Sequence, residues 1–267
     1  MIKLITIDLD GTLLDDKKNI SEENIKAIKY AKEKGANVVI STGRPINGIK
    51  GYLKSLDLLD DGYLILYNGA MIYSLKDKKV ISTTLIDGKI IKRLYEESKK
   101  LGVYIHAFRD NEELILEEYN IYSHKEVTLN KITFKFYDFS KIKDDDLFLK
   151  CLLVEGKEKL NYAEKQVSKD ITNNYTMMRS APIFLEFLNK NTDKGIALTK
   201  LAKYLNVDMK DTMAIGDAGN DISMIAKSGF GVAMKNSFEE VFQYADYITD
   251  SNENSGVAKA IYKAFDK

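Results

Sequence analysis

An apolar run, Ile2 to Ile7, stops abruptly at Asp8-Leu9-Asp10-Gly11-Thr12. An Ile- and Leu-rich segment ended by acids and a glycine predicts a buried strand with two carboxylates at its C-terminal end. Along an extended chain, residues i and i+2 face the same way, so Asp8 and Asp10 can converge on one point. Two such charges repel unless a cation or a shared proton holds them together. The pair therefore implies a hard metal ion, acid–base chemistry, or both. An EF-hand loop is excluded, because its glycine stands sixth and here it stands fourth.

Other groups of this kind follow predicted strands. Asn37-Val38-Val39-Ile40 runs into Ser41-Thr42-Gly43-Arg44-Pro45, and Met213-Ala214-Ile215 into Gly216-Asp217-Ala218-Gly219-Asn220-Asp221. In open parallel sheets ligands bind beyond the carboxyl ends of the strands, so Asp8, Asp10, Ser41, Thr42, Asp217 and Asp221 are expected on one rim. Such an acidic rim attracts a divalent cation, which in turn accepts an anion. Lys194 stands in the first turn of a predicted helix, where the helix dipole opposes a cation. Its place makes sense if an anion lies between it and the metal.

The elements that must position these residues alternate in type. Ser21 with Glu22 and Glu23 predicts a helix start, Ile25, Ile28 and Ala31 its stripe, and Gly35 its end. Pro45 predicts the start of a helix running to about Leu56. Tyr63 to Tyr67 reads as a strand, with Met71 to Tyr73 returning as a hairpin arm after Asn68-Gly69. Asp193 opens a helix through Leu205; strands follow at Met213, Gly229 to Met234 and Tyr247 to Thr249, and a last helix at about 257–265. This alternation predicts an α/β fold, a doubly wound parallel sheet of Rossmann-like form.

The middle of the chain differs. It reads as one helix, 87–101, and strands near 103–107, 113–116, 131–136, 150–154, 175–179 and 184–188. We expect an inserted α/β domain over 83–188, with 1–82 and 189–267 sharing one core. Asp144-Asp145-Asp146 is expected in a solvated loop.

Composition narrows the partners. Lys plus Arg and Asp plus Glu are both 40, so the net charge is zero, which argues against nucleic-acid or anionic-membrane binding by bulk charge. No apolar run approaches the roughly 18 residues of a membrane span, and a cytoplasmic location is expected. The single cysteine, Cys151, lies in an apolar run and reads as a packed strand residue.

Taken together, Asp8-Leu9-Asp10-Gly11-Thr12-Leu13-Leu14, Ser41-Thr42-Gly43-Arg44-Pro45, Lys194-Gly195 and Gly216-Asp217-Ala218-Gly219-Asn220-Asp221 resemble, in order, the motifs of the haloacid dehalogenase superfamily. The large insert between the second and third motifs, closed by Ser180-Ala181-Pro182 and Leu185-Glu186, is similar to the cap of the Cof-type sugar-phosphate phosphatases. The resemblance implies a Mg2+-dependent phosphatase acting on small phosphomonoesters. It implies Asp8 as nucleophile and Asp10 as proton donor and acceptor. Asp8, the Asp10 carbonyl, Asp217 and Asp221 would hold the metal; Thr42, Gly43, Lys194, Asn220 and the Leu9 amide would hold the phosphoryl oxygens. Arg44, Asn68, Arg179 and Glu186, with polar residues such as His106, would meet the rest of the substrate. Asp10 favours phosphoryl transfer over dehalogenation, since a halide leaves without a proton. A phosphomutase of the same superfamily, or a phosphatase for pyridoxal phosphate or flavin mononucleotide, fits the same motifs.

Overall fold

The computed structural model describes residues 1–265 of the chain. They divide into two compact units. The first comprises Met1–Gly43, Ile49–Ser82 and the chain from Asp193 onward; the second comprises Arg44–Gly48 and Thr83–Thr192.

The first unit is built on an eight-stranded sheet in the order Tyr247–Ile248, Phe230–Ala233, Thr212–Gly216, Leu4–Asp8, Asn37–Ser41, Tyr63–Leu66, Met71–Ser74 and Lys79–Thr83. Its first six strands are parallel, and Met71–Ser74 returns antiparallel to Tyr63–Leu66. All five residues of Leu4–Asp8 are buried, which explains why that strand reads as a continuous apolar run. Leu4, Val39, Ile65, Ile72 and Ala214 pack under Ala197, Leu198, Leu201 and Ala202 of the helix Lys194–Tyr204. Each of the Leu, Ile and Val side chains among them contributes about 1.5–3 kcal/mol when fully buried. The helix Glu22–Glu33, capped by the Ser21 hydroxyl, meets the helix Gly256–Phe265 through Tyr30 against Tyr262 and Phe265, with ring centroids 5.7 and 6.0 Å apart. From Leu4–Asp8 the chain adds strands on one side as far as Lys79–Thr83. Thr212–Gly216 and the later strands are added on the other side. The order therefore reverses beside Leu4–Asp8, the place where such sheets bind ligands.

The second unit carries a seven-stranded sheet: Tyr175–Ala181, Phe184–Asn189, Leu147–Val154, Tyr104–Arg109, Leu114–Leu116 and Phe134–Phe136 in that order, with Ile86–Asp87 paired to Leu147–Val154. Only the last pair in that order is parallel. Ile105, Ala107, Ile115, Cys151, Leu153, Leu185 and Phe187 form an apolar face packed with Ile90, Ile91 and Leu94 of the helix Gly88–Leu101 and with Leu160 and Ala163 of Lys157–Gln166. The opposite orientation along the strands belongs to His106, Lys150 and Glu186, and all three are buried.

The structure departs from the sequence expectation at three points. Residues 45–56 do not form one helix; a 3-10 turn at Ile46–Gly48 is followed by a helix at Lys50–Ser55. Gly48 lies against Asn130, whose Oδ1 would stand 2.8 Å from a Cβ there, so the turn is anchored in the second unit while the helix belongs to the first. Helices also occur at Ile121–Asn130, Lys157–Gln166 and Lys169–Asn174, which the sequence reading did not assign. Finally, Lys131, expected to open a strand, is the left-handed C-cap of Ile121–Asn130 (φ 50°), and the strand begins at Phe134.

Candidate active site

Asp8 ends the strand Leu4–Asp8, and Asp217 immediately follows the neighbouring strand Thr212–Gly216. Two tight approaches bring the acids together. Gly11 (φ 88°) passes so close to Asp217 that a Cβ would lie 2.5 Å from its Oδ2, and a Cβ on Gly216 would lie 2.4 Å from that of Asp221. As a result one carboxylate oxygen from each of Asp8, Asp217 and Asp221 falls within 4.8 Å of the others. All three side chains are buried.

Lys194 is fully buried among them. Its Nζ donates to Asp8 Oδ1 at 2.5 Å and to Asp221 Oδ1 at 2.6 Å. Lys194 is thus paired with two of the protein's own carboxylates. The Asp193 side chain caps the helix by accepting from the Ile196 amide at 2.6 Å, and Gly195 donates to Ser223 Oγ at 3.0 Å, fixing the turn that carries Lys194. Asp221 Oδ2 accepts from the amides of Asp217 and Ala218, both at 3.0 Å. Asp221 is therefore held on both oxygens, and Asp217 is oriented by Thr12 Oγ1, which donates to its Oδ1 at 2.7 Å.

Three acids against one lysine leave negative charge in excess. Burial, then the charge of Asp221, push the Asp8 carboxyl well above its usual range, and Lys194 only partly offsets them. Burial also raises Asp217 to about 6, with the Thr12 hydroxyl opposing and Asp221 reinforcing the rise. For Lys194, burial works against the charge but Asp221 and Asp8 outweigh it, so the ammonium is held above its ordinary value. A hard divalent cation fits this all-oxygen, electron-rich donor set, since it would relieve the repulsion.

Around the cluster lie the other expected residues of the first unit. Thr42 follows Asn37–Ser41, is buried, and its amide donates to the Ile65 carbonyl at 2.8 Å. Asn68, buried in a left-handed conformation (φ 55°), donates its amide to the Thr42 carbonyl at 3.1 Å and accepts from Asn220 Nδ2 on its Oδ1 at 3.1 Å. A Cβ on Gly43 would come within 3.0 Å of the Asn68 side chain. Leu9 is buried in the turn between the two leading acids. Asp10 stands apart from the three-acid cluster: its side chain is 38% exposed and accepts from Lys18 Nζ at 2.9 Å. Thr12 and Lys18 are contacts that sequence reasoning did not single out. Thr12 lay inside the leading motif, whereas nothing in the pattern marked Lys18.

The expected substrate residues of the second unit divide. Glu186 is buried, accepting from Lys150 Nζ at 2.9 Å and Ser180 Oγ at 2.8 Å. Arg44 is buried, and Nη1 donates to the Gly48 carbonyl at 3.4 Å. Arg179 donates from Nε to Ala181, from Nη1 to Glu164, and from Nη2 to Pro182, Asn161 and Lys157, tying its hairpin to the helix Lys157–Gln166. His106 is fully buried with Nε2 against Ser123 Oγ at 3.0 Å; burial and the nearby Lys150 charge lower it to about 3, so it is a neutral packed histidine. Cys151 is likewise buried, and burial raises its thiol.

The profile of the haloacid dehalogenase-like hydrolases matches residues 5–261. The Bacillus subtilis (strain 168) protein YcsE, a 5-amino-6-(5-phospho-D-ribitylamino)uracil phosphatase, is 37% identical over 97% of this chain and 94% of its own. A haloacid dehalogenase-like hydrolase from Bacteroides thetaiotaomicron superposes with a TM-score of 0.88 at 34% identity, covering 99% of this chain and 100% of that one. The subclass IIB sugar phosphatase BT4131 superposes with a TM-score of 0.83 at 25% identity, over 99% of both chains. With the acid cluster at the reversal of its parallel sheet and its motifs in order, this chain belongs to the Cof-type haloacid dehalogenase-like hydrolases.

Proposed function

We propose that this protein is a Mg2+-dependent phosphatase that hydrolyses small phosphomonoesters, with sugar phosphates as the preferred class, through an aspartyl-phosphate on Asp8. The observation that carries the reading is the buried set of Asp8, Asp217 and Asp221 with Lys194 bridging two of them. A phosphoryl group is dianionic and its transition state spreads charge over the equatorial oxygens, so positioning and neutralisation carry most of the catalysis. Asp8 attacks phosphorus as the ester oxygen departs, and Asp10 gives that oxygen its proton. Asp10 then takes a proton from the water that attacks the aspartyl-phosphate, which restores both acids. Lys194, Thr42, Asn220 and the amides of Leu9 and Gly43 hold the phosphoryl oxygens. Asp8, Asp217, the Asp10 carbonyl and Asp221 would hold Mg2+, which when bound neutralises phosphoryl charge and orients the ester for in-line attack. Asp221, with Lys194 on one oxygen and two amides on the other, supports the site more than it ligates.

The leaving alcohol is read by the second unit, acting as a cap. Lys150, Glu186 and Ser180 there form a buried set of donors and acceptors suited to hydroxyl groups, with Arg44 and Asn68 as further contacts. Arg179 drops out of this set, because its donors serve the hairpin. The names of the two phosphatases above, one for a ribityl phosphate and one for sugar phosphates, support a polyhydroxylated leaving group.

The test is phosphate release from a panel of sugar, pyridoxal, flavin and simple alkyl phosphates, with Mg2+ and with EDTA, for the wild type and Asp8→Asn. Metal-dependent release that vanishes in the variant is expected. No release from any ester, or release that survives the substitution, would overturn the reading.

A further inference from the structure

We propose that Glu126 is a specificity-determining residue for the leaving alcohol, its carboxylate accepting a hydrogen bond from one of the alcohol's hydroxyl groups. This rests on the phosphatase reading above and deepens it. The helix Ile121–Asn130 turns an unusual face inward: the residues it buries are Ser123, Glu126 and Asn130, all polar and all on one side of the helix. Ser123 is held at one end by His106, whose Nε2 lies 3.0 Å from its Oγ. Asn130, at the other end, donates from Nδ2 to the Glu126 carbonyl at 3.1 Å. Between them Glu126 is only 3% exposed, and among the described residues nothing donates a hydrogen bond to its carboxylate. Asn130 Oδ1 is a second buried acceptor without a donor among those residues.

Stability does not account for this arrangement. A buried polar group is costly when its hydrogen bond is left unmade, and a carboxylate more so. Burial raises the Glu126 carboxyl above its usual range, with Lys150 and Arg44 opposing by their charge and Glu186 reinforcing the rise. The group that suits this carboxylate is therefore a hydrogen-bond donor, and a neutral one. An ammonium would join the two cations already beside Glu126, whereas a hydroxyl leaves the balance of Lys150, Arg44, Glu186 and Glu126 unchanged. The chain itself ties this helix face to the phosphate-binding motif. Arg44 follows Thr42 and Gly43 directly, and Gly48 closes the turn Ile46–Gly48 just beyond it. A Cβ on Gly48 would stand 2.8 Å from Asn130 Oδ1, so the polar face of Ile121–Asn130 packs on that turn. The acceptors thus sit on the segment that emerges from Thr42, the residue proposed to hold the phosphoryl group.

The experiment measures kcat/KM for wild type, Glu126→Met and Glu126→Gln, with circular dichroism to confirm folding. The esters are p-nitrophenyl phosphate, which carries no alcohol hydroxyl, the sugar phosphate turned over fastest in the panel above, and the monodeoxy analogues of that sugar phosphate. The sugar-to-aryl ratio should fall about 10- to 100-fold in Glu126→Met. Glu126→Gln keeps the shape of the side chain and one acceptor oxygen, so the ratio should fall in the same direction by less. On one of the monodeoxy analogues the effect of Glu126→Met should largely disappear, which identifies the hydroxyl that the carboxylate accepts. A ratio unmoved in both variants, through an equal loss on both esters or no loss on either, would overturn the role of Glu126 and leave the phosphatase reading standing. An effect of Glu126→Met that is the same on the parent sugar and on every monodeoxy analogue would do likewise. Absence of phosphate release by the wild type from any ester would overturn the phosphatase reading and this proposal with it.

Discussion

The two units each bury a cluster of charge, and the two clusters are balanced differently. In the first, Asp8, Asp217 and Asp221 share one ammonium, that of Lys194. In the second, Lys150 and Arg44 face Glu186 and Glu126, and Glu126 is raised by its burial while Lys150 and Arg44 pull it down. The first set is left two charges short of neutrality, and the second is neutral within itself. Burying a charge is costly unless it is paired, so the first cluster is a standing demand for a cation while the second is complete without one. Acceptance of a metal and a dianion suits the former. On the proposed function, selection among hydroxyl groups falls to the latter, whose net charge would be the same before and after such an exchange of hydrogen bonds.

The largest expected effect breaks the chemistry of the first cluster and leaves the second untouched. Asp8→Asn should lower turnover at least about a thousand-fold, with an unaltered circular dichroism spectrum. Next, the lysines should separate the clusters by their response to metal. Lys194→Met removes the one cation of its cluster and Lys150→Met the direct partner of Glu186, and each should cost about 3–5 kcal/mol in chemical denaturation. Added Mg2+ should recover part of the loss in Lys194→Met and none in Lys150→Met, whereas Lys150→Met/Glu186→Leu should recover most of the latter. Recovery of both single variants by Mg2+ would erase the distinction.

Asp217 supplies one part of the pH dependence, beside the more strongly raised Asp8. The Asp217 carboxyl titrates at about 6 in the folded, metal-free protein and near 3.8 when exposed. Between those values the folded state holds a proton that the unfolded state has lost, so stability falls as pH rises through that window. The shift corresponds to about 3 kcal/mol, fully expressed above pH 6. Urea titrations in EDTA should show that decline in the wild type, a flatter profile in Asp217→Asn, and suppression of it by saturating Mg2+. The smallest effect is expected for Thr12→Val, which removes the hydroxyl that orients Asp217. About 1–2 kcal/mol of stability and roughly tenfold in apparent metal affinity should be lost. Calorimetric titration of Mg2+ into that variant checks it.

How much of this was legible in the sequence depended on what each segment faces. Leu4–Asp8 and Thr212–Gly216 are covered on both sides, so they read as apolar runs ending in acids, and the acids were found at once. The helix Ile121–Asn130 was missed for the converse reason. It buries Ser123, Glu126 and Asn130, so it has no apolar stripe for a helical pattern to reveal. Arg179 is among the substrate contacts that the resemblance implies, yet its partners Glu164 and Asn161 lie on a helix that the sequence reading did not assign. Lys18 sits in a polar loop held by Asn252 and Glu253, far along the chain, and such long-range closure leaves no local periodicity to detect.

The crossing of the chain between units also sets an order of assembly. Apart from Arg44–Gly48, the second unit is one uninterrupted stretch, Thr83–Thr192, which emerges from the ribosome before the strand Thr212–Gly216 that must lie beside Leu4–Asp8. The contact between Thr12 and Asp217 spans 205 residues, so the acid cluster is among the last features that synthesis can complete. A nascent chain thus has material for its inserted unit long before it owns the acid cluster, and the first unit closes around those carboxylates only once the lysine that tempers them is also present.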